Sequence, residues 1–296
     1  TLPLLNPAGV YAGQSQSLLV RLLIADGLAA DTDAALAYIA GASAEHIAGY
    51  LRDKPGSELL SVLLASGLTG SGPIPDGHLL PLDPIAAIAA GQYNRVPVLA
   101  GMTTQEAKLF GPLLPLLGGP TGYRIDDAMR FAVMAGYDPD AAPALTEADI
   151  LDAAYVPSDT PVTGWTARTD LLAMLSFTVN RNSALNALAA QQNEIWTYEF
   201  NWAQQPAPWN TVYGAAHAFD LPFLFGNFGP SLFARVTNSQ ANEPGRLALS
   251  SAMMASLGAF ARDGNPNHTA LGASWPRWPS RLVFDATASE AVITVP

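Results

Sequence analysis

Ile195-Trp196-Thr197-Tyr198-Glu199-Phe200-Asn201-Trp202 places an aromatic residue at every second position, four times in succession. A period of two puts the four rings on one face of a β-strand. Soon after comes Gly214-Ala215-Ala216-His217-Ala218-Phe219-Asp220-Leu221-Pro222-Phe223-Leu224-Phe225-Gly226, a histidine set between small residues and a dense apolar run. Upstream, Val96–Ala100 is short, apolar and β-rich, as a buried parallel strand should be. Its Pro97 fits only near a strand start or a bulge. Between these strands, residues Asp170 to about Ala190 read as a long helix. After them, Glu243–Arg262 reads as a helix with Pro244 in its first turn and Gly264 closing it. Short strands at Leu282–Phe284 and Val292–Val295 end the chain. Strand, helix, strand, helix, strand is the order of a mostly parallel sheet wrapped by helices, so the fold class is α/β.

The flanks of this frame are helical. Leu18, Leu19, Leu22 and Leu23 recur at helical spacing within Ser17–Ala29. Shorter helices are expected at Ala34–Ile39, Ala44–Leu51 and Ser57–Ser66. Leu68 to Pro84 is a Gly/Pro-rich loop containing the turn signal Pro75-Asp76-Gly77. Leu113 to Ala142 reads as an inserted subdomain of short helices, and Thr146-x-x-Asp149 as a capping box for the next helix.

Composition narrows the classes. Of 296 residues, 49% are hydrophobic and 13% charged, which suits a buried core rather than disorder. The net charge of −11, from 14 basic and 25 acidic residues, disfavours nucleic acid or an anionic membrane as the main partner. No apolar run approaches the ~18 residues needed to span a bilayer. The chain has no cysteine, hence neither disulfides nor thiolate metal sites. Thr1-Leu2-Pro3-Leu4-Leu5-Asn6-Pro7 lacks the basic and apolar regions of a signal peptide. The compartment stays open: secreted, periplasmic and cytoplasmic locations are all compatible. Asn267-His268-Thr269 matches a glycosylation sequon, a triplet common by chance.

Two residues carry the expected chemistry. The apolar surround of His217 favours the neutral imidazole, the form a general base needs. Glu106 follows the Val96–Ala100 strand within six residues, and catalytic groups of open α/β sheets gather at the carboxyl ends of strands. Taken alone, Glu106 is equally a helix-N-terminal acid stabilised by the macrodipole, and His217 a core histidine bonded to a carbonyl.

The histidine segment resembles the histidine loop of the type-B carboxylesterase/lipase family, which includes the cholinesterases. Arg95-Val96-Pro97-Val98-Leu99-Ala100-Gly101-Met102-Thr103-Thr104-Gln105-Glu106-Ala107-Lys108-Leu109-Phe110 resembles its strand-then-acid segment. The likeness runs over roughly residues 15 to 285. It implies the α/β-hydrolase fold, a Ser-Glu-His triad with Glu106 as acid and His217 as base, and Asp220 bracing the loop. No cofactor is implied. The family usually carries an acid at the position of Gln105 and often a glycine at that of Ala107.

The triad runs Ser, Glu, His along the chain, so the serine should precede Glu106 in a strand-to-helix elbow. No Gly-x-Ser-x-Gly occurs anywhere in the sequence. Gly13-Gln14-Ser15-Gln16-Ser17 lacks the second glycine and a preceding strand, and Gly70-Ser71-Gly72 reads as a loop. Residues 1–296 are therefore expected to be the C-terminal portion of a single α/β-hydrolase domain. The partners would be an N-terminal half carrying the serine elbow and oxyanion loop, and a small-molecule ester. His46, His78 and His268 make no metal-ligand spacing, so no metal is expected. Two other readings remain open: a cholinesterase-like recognition module without catalysis, and an unrelated α/β binding protein.

Overall fold

The structure is a computed structural model that describes residues 8–67 and 75–296. Two compact units divide the chain, one up to Ala87 and one from Ile88.

The first unit is helical: α1 (Ala8–Ala25), α2 (Thr32–Gly41), α3 (Ala44–Arg52) and α4 (Gly56–Ala65). Leu19, Val20 and Leu23 of α1 pack with Ala29 and Ala35 in a small core. Asp31 caps α2 by accepting the Ala34 N–H, and Ser43 caps α3 by accepting that of His46. Helix α1 begins nine residues before the expected start, because residues 8–16 lack the apolar period by which the start was placed. The Gly13–Ser17 stretch thus lies inside a helix, with Ser17 Oγ donating to the Gly13 carbonyl (2.8 Å), and it forms no strand-to-helix elbow. Gly70-Ser71-Gly72 lies outside the described residues.

The second unit is built on a four-stranded sheet, β1 (Val98–Thr103), β2 (Ile195–Phe200), β3 (Leu282–Ala286) and β4 (Ala291–Thr294), in that spatial order. β1 and β2 pair in parallel, β2 and β3 in parallel, and β3 and β4 antiparallel. The chain starts β1 just after Pro97, whose missing N–H would interrupt a ladder. β2 is covered on both faces: Ile195, Trp196, Thr197, Tyr198 and Phe200 are all buried. The four-aromatic face, completed by Trp202, packs with Phe223, Trp275 and Phe284, many of the pairs edge-to-face.

The 113–142 stretch differs from expectation. Its short helices are present, as a 3₁₀ run over Glu106–Leu117 and an α-helix over Asp127–Ala135. Yet Leu114, Tyr123 and Met134 join the same core as the sheet, so they form no separate subdomain. The Thr146–Asp149 capping box is present. The expected Asp170–Ala190 helix begins earlier, at Trp165, and contains a π-turn at Met174–Thr178 before Val179–Ala189 resumes. The helix over Glu243–Asp263 ends at Gly264 as its residues predict.

The remaining histidines are accounted for locally. His46 Nε2 pairs with Tyr38 Oη (2.9 Å) and His268 Nε2 with Ser256 Oγ (3.0 Å). The backbone N–H of His78 is held by Asp76 Oδ1 in the expected turn. No metal-binding cluster of His, Asp and Glu occurs among the described residues, and none of their helices is long and apolar enough to cross a membrane. The sequon asparagine Asn267 is already committed, accepting the Trp275 N–H (2.7 Å) and donating to the Trp275 carbonyl (3.2 Å).

Candidate active site

Glu106 begins the 3₁₀ run just beyond the carboxyl end of β1 and is 6% exposed. Its Oε1 accepts the Thr103 N–H (2.9 Å), which fixes the carboxylate against its own strand. Its Oε2 meets His217 Nδ1 at 2.5 Å, although 111 residues separate the two in sequence. With Nδ1–H committed to the carboxylate, the imidazole keeps one tautomer and its Nε2 is left to exchange a proton. Among the described residues no serine hydroxyl bonds to His217.

A polar chain ties the strand ends together. Thr104 Oγ1 donates to Asn201 Oδ1 (2.8 Å), and Asn201 Nδ2 donates to Asp285 Oδ2 (2.8 Å), joining the ends of β1, β2 and β3. Gln105 performs a second linkage. Its N–H donates to the Ala215 carbonyl and its Oε1 accepts the Ala215 N–H, both at 3.0 Å. The buried Gln205 donates from Nε2 to the Gly214 carbonyl (2.8 Å). The residue where the related family usually has an acid is thus the clasp between the acid turn and the histidine loop. Neither glutamine announces this in sequence, since the spacing to residues 214–215 is set only by the fold.

Two glycines make the geometry possible. Gly214 lies at φ +51°, and a Cβ there would fall 1.9 Å from Gln105 Oε1. Gly101 sits opposite Tyr198 in the register, and a Cβ there would fall 2.0 Å from the tyrosine ring. Tyr198 can therefore lie across β1 and donate from Oη to Asp220 Oδ2 (2.6 Å). Gly214→Ala is expected to lower stability by about 2 kcal/mol through strain and collision with the clasp. In a Gln105→Ala background, which already lacks the clasp, the same change should cost measurably less. A denaturant-unfolding double-mutant cycle with no coupling between the two positions would contradict the clasp.

The electrostatics differ from the simple expectation of a neutral imidazole in an apolar setting. The hydrogen bond to Glu106 raises the His217 pKa, and its effect exceeds that of desolvation, which lowers it. Burial pushes the Asp220 carboxyl up, the Tyr198 hydrogen bond opposes this, and the nearby Glu106 charge reinforces it. Asp220 Oδ2 takes its hydrogen bond from Tyr198 Oη on β2.

Of the aromatics around the site, Phe110 stands 5.2 Å from the His217 ring, centroid to centroid. Trp165 lies behind the loop, its Nε1 donating to the Val212 carbonyl (3.0 Å). Phe219 and Phe223 are buried, whereas Phe225 is largely exposed. Phe177, which sequence reading missed, stands 5.5 Å from the His217 ring and comes from the π-turn. A π-turn inside a helical pattern leaves no periodic trace, so only coordinates reveal it. Beside the imidazole opens a cavity of about 310 Å³, walled mainly by residues 217–238 together with Leu109 and Trp202.

The sequence profile described as the carboxylesterase family matches residues 13–289. Para-nitrobenzyl esterase of Bacillus subtilis (strain 168) is 26% identical over 211 residues, 70% of this chain and 37% of that protein. Carboxylesterase 1F of Mus musculus is 28% identical over 218 residues, 69% and 35% respectively. Among solved structures, a PNB esterase superposes with a TM-score of 0.56 at 20% identity, covering 88% of this chain and 50% of that one. Geobacillus stearothermophilus carboxylesterase EST55 gives 0.53 at 23%, with 83% and 48% covered. The chain thus spans well under half the length of these curated relatives and about half of the solved chains. The fold is that of the α/β-hydrolases, and the chain belongs to the carboxylesterase family.

Proposed function

We propose that this chain supplies the acid and the base of a Ser-Glu-His triad in a carboxylic ester hydrolase, with the serine on a companion N-terminal segment. The observation that carries the reading is the 2.5 Å contact between Glu106 and His217 at the carboxyl ends of strands. A serine Oγ attacks the ester carbonyl carbon while His217 Nε2 takes its proton. The tetrahedral adduct collapses, the bond from acyl carbon to alkoxy oxygen breaks, and the proton passes to the leaving oxygen. Water then repeats the sequence on the acyl-enzyme, returning the serine and releasing the acid. Glu106 holds the imidazole and stabilises the imidazolium formed in each half. Asp220 braces the loop through Tyr198. The substrate is a small-molecule ester, and the steps require neither metal nor cofactor.

The test is hydrolysis of a short-chain aryl ester such as 4-nitrophenyl butyrate by the full-length protein. Activity needs unprotonated His217, so kcat/KM should rise with pH through one ionisation. Because Glu106 raises the His217 pKa, the midpoint should lie above the ordinary histidine value of about 6.5. Glu106→Gln removes the principal raising influence, so the midpoint should move down while kcat falls. A midpoint unmoved by that change would separate the ionising base from Glu106.

A further inference from the structure

Residues 1–296 hold two lysines, Lys54 and Lys108. Lys54 is paired directly with Asp26 and Glu58. Lys108 is 2% exposed, yet among the described residues its ammonium has no hydrogen bond and no carboxylate at ion-pair distance. It lies on the 3₁₀ run Glu106–Leu117, where Glu106, Ala107 and Lys108 are buried in succession. The helix Trp165–Ala173 packs along this run, and Arg168 Nη2 donates to the Leu117 carbonyl (2.5 Å) at its far end. Tyr123 Oη donates to the Lys108 carbonyl (2.6 Å), which fixes the backbone at that point. The packing nearby is tight: a Cβ at Gly111 would fall 2.8 Å from the Tyr123 ring and 2.9 Å from that of Trp165. The charged groups facing the amine are Asp170 on the Trp165–Ala173 helix and Glu147 on the turn Glu147–Ile150. Burial pushes the Lys108 amine down to about 8, and these two carboxylates oppose the shift without cancelling it. This chain makes that burial by itself, so no companion segment is needed to create it.

We propose that Lys108 is a pH-sensitive seat for the run that carries Glu106, packed against the Trp165–Ala173 helix with its amine neutral and loosened when the amine takes up a proton. A buried ammonium without a partner costs more than a buried neutral amine. An unfolded lysine keeps its proton up to about pH 10.4. Between about 8 and that value the unfolded chain therefore binds one proton more than the folded chain. Stability consequently rises with pH across this window, and below it the penalty is present in full. The inference is independent of the ester-hydrolase reading, since it concerns how the run is held rather than what Glu106 does.

The experiment measures denaturant unfolding of the full-length protein and of Lys108→Met, similar in length and uncharged, at about pH 7.5, 8.5 and 9.5. The other ionisations are common to both proteins, so the ratio of their folding constants isolates Lys108. We expect Lys108→Met to be favoured most at the lowest pH, with its advantage shrinking by up to about tenfold per pH unit. Lys108→Arg, whose charge cannot be lost, should be less stable than wild type, and by more at the highest pH than at the lowest. A ratio of wild type to Lys108→Met that stays constant across the series would overturn the proposal. The ¹³Cε NMR signals of lysine-labelled wild-type protein need no variant. One signal should titrate near about pH 8, apart from the others. Titration of every lysine signal above about pH 10 would overturn the proposal equally.

Discussion

Replacing His217 by alanine in the full-length protein is expected to lower kcat for an aryl ester by about 10⁵-fold. The imidazole handles the proton in both acylation and deacylation, so no other group among the described residues substitutes for it. Its loss should scarcely disturb folding, because the side chain is 44% exposed and, among the described residues, its hydrogen bond is to Glu106 alone. The stability change should stay within about 1 kcal/mol. Glu106→Gln should cost less in rate, about 10⁴-fold, since an amide can still hold the ring though it favours the wrong tautomer. The two losses should fall far short of adding, as befits groups acting as one unit. Steady-state kinetics with unfolding curves for each variant decide the matter. Near-normal activity in His217→Ala would refute the triad assignment outright.

Much of this was legible before any coordinates, and the reasons differ between elements. The Ile195–Trp202 alternation revealed its strand because large aromatics on a buried face leave a strong period of two. The 243–263 helix was bounded by Pro244 and Gly264, residues whose backbone limits are local. Start points were less readable: α1 begins at Ala8 and the long helix at Trp165, where no apolar stripe marks the first turns. The 113–142 stretch read as an insertion because its short helices are local features. Its membership of the main core depends on distant partners such as Trp165.

At the site, the resemblance to the esterase family points to Glu106, His217 and Asp220, and the structure brings Glu106 and His217 within 2.5 Å of each other. The sequence could not show the clasp of Gln105 and Gln205 on residues 214–215, nor Phe177 against the imidazole, since these contacts span long separations and one needs a π-turn. The raised pKa of His217 is likewise not legible in the sequence. Apolar surroundings argue for a lowered pKa, but one carboxylate at hydrogen-bond distance outweighs them.

Residues 1–296 expressed alone are expected to be inert toward esters and to escape labelling by a serine-directed phosphonate. The reasoning starts at β1. Parallel sheets are ordinarily covered on both faces and paired along their central strands. β1 lies at the edge of the described sheet, and its residues from Val98 to Met102 are only half-buried or exposed, in contrast to β2. Large apolar side chains of the same unit are also uncovered: Val96, Leu116, Leu175 and Val179 are each at least half exposed. An unpaired parallel edge beside such groups is a site of association or aggregation unless something covers it. A companion that continues the sheet beyond β1 would satisfy both, and it would bring a serine elbow to the strand end next to Glu106. Such a contact divides one core in two, so it should bury well over the ~1,600 Å² of an ordinary complex. Intact mass spectrometry of the phosphonate-treated full-length protein, followed by peptide mapping, locates the reactive serine. Labelling upstream of Thr1 supports the companion. A stable monomer of residues 1–296 with stoichiometric labelling of one of its own serines would remove the need for it, and with it the division of the triad between two segments.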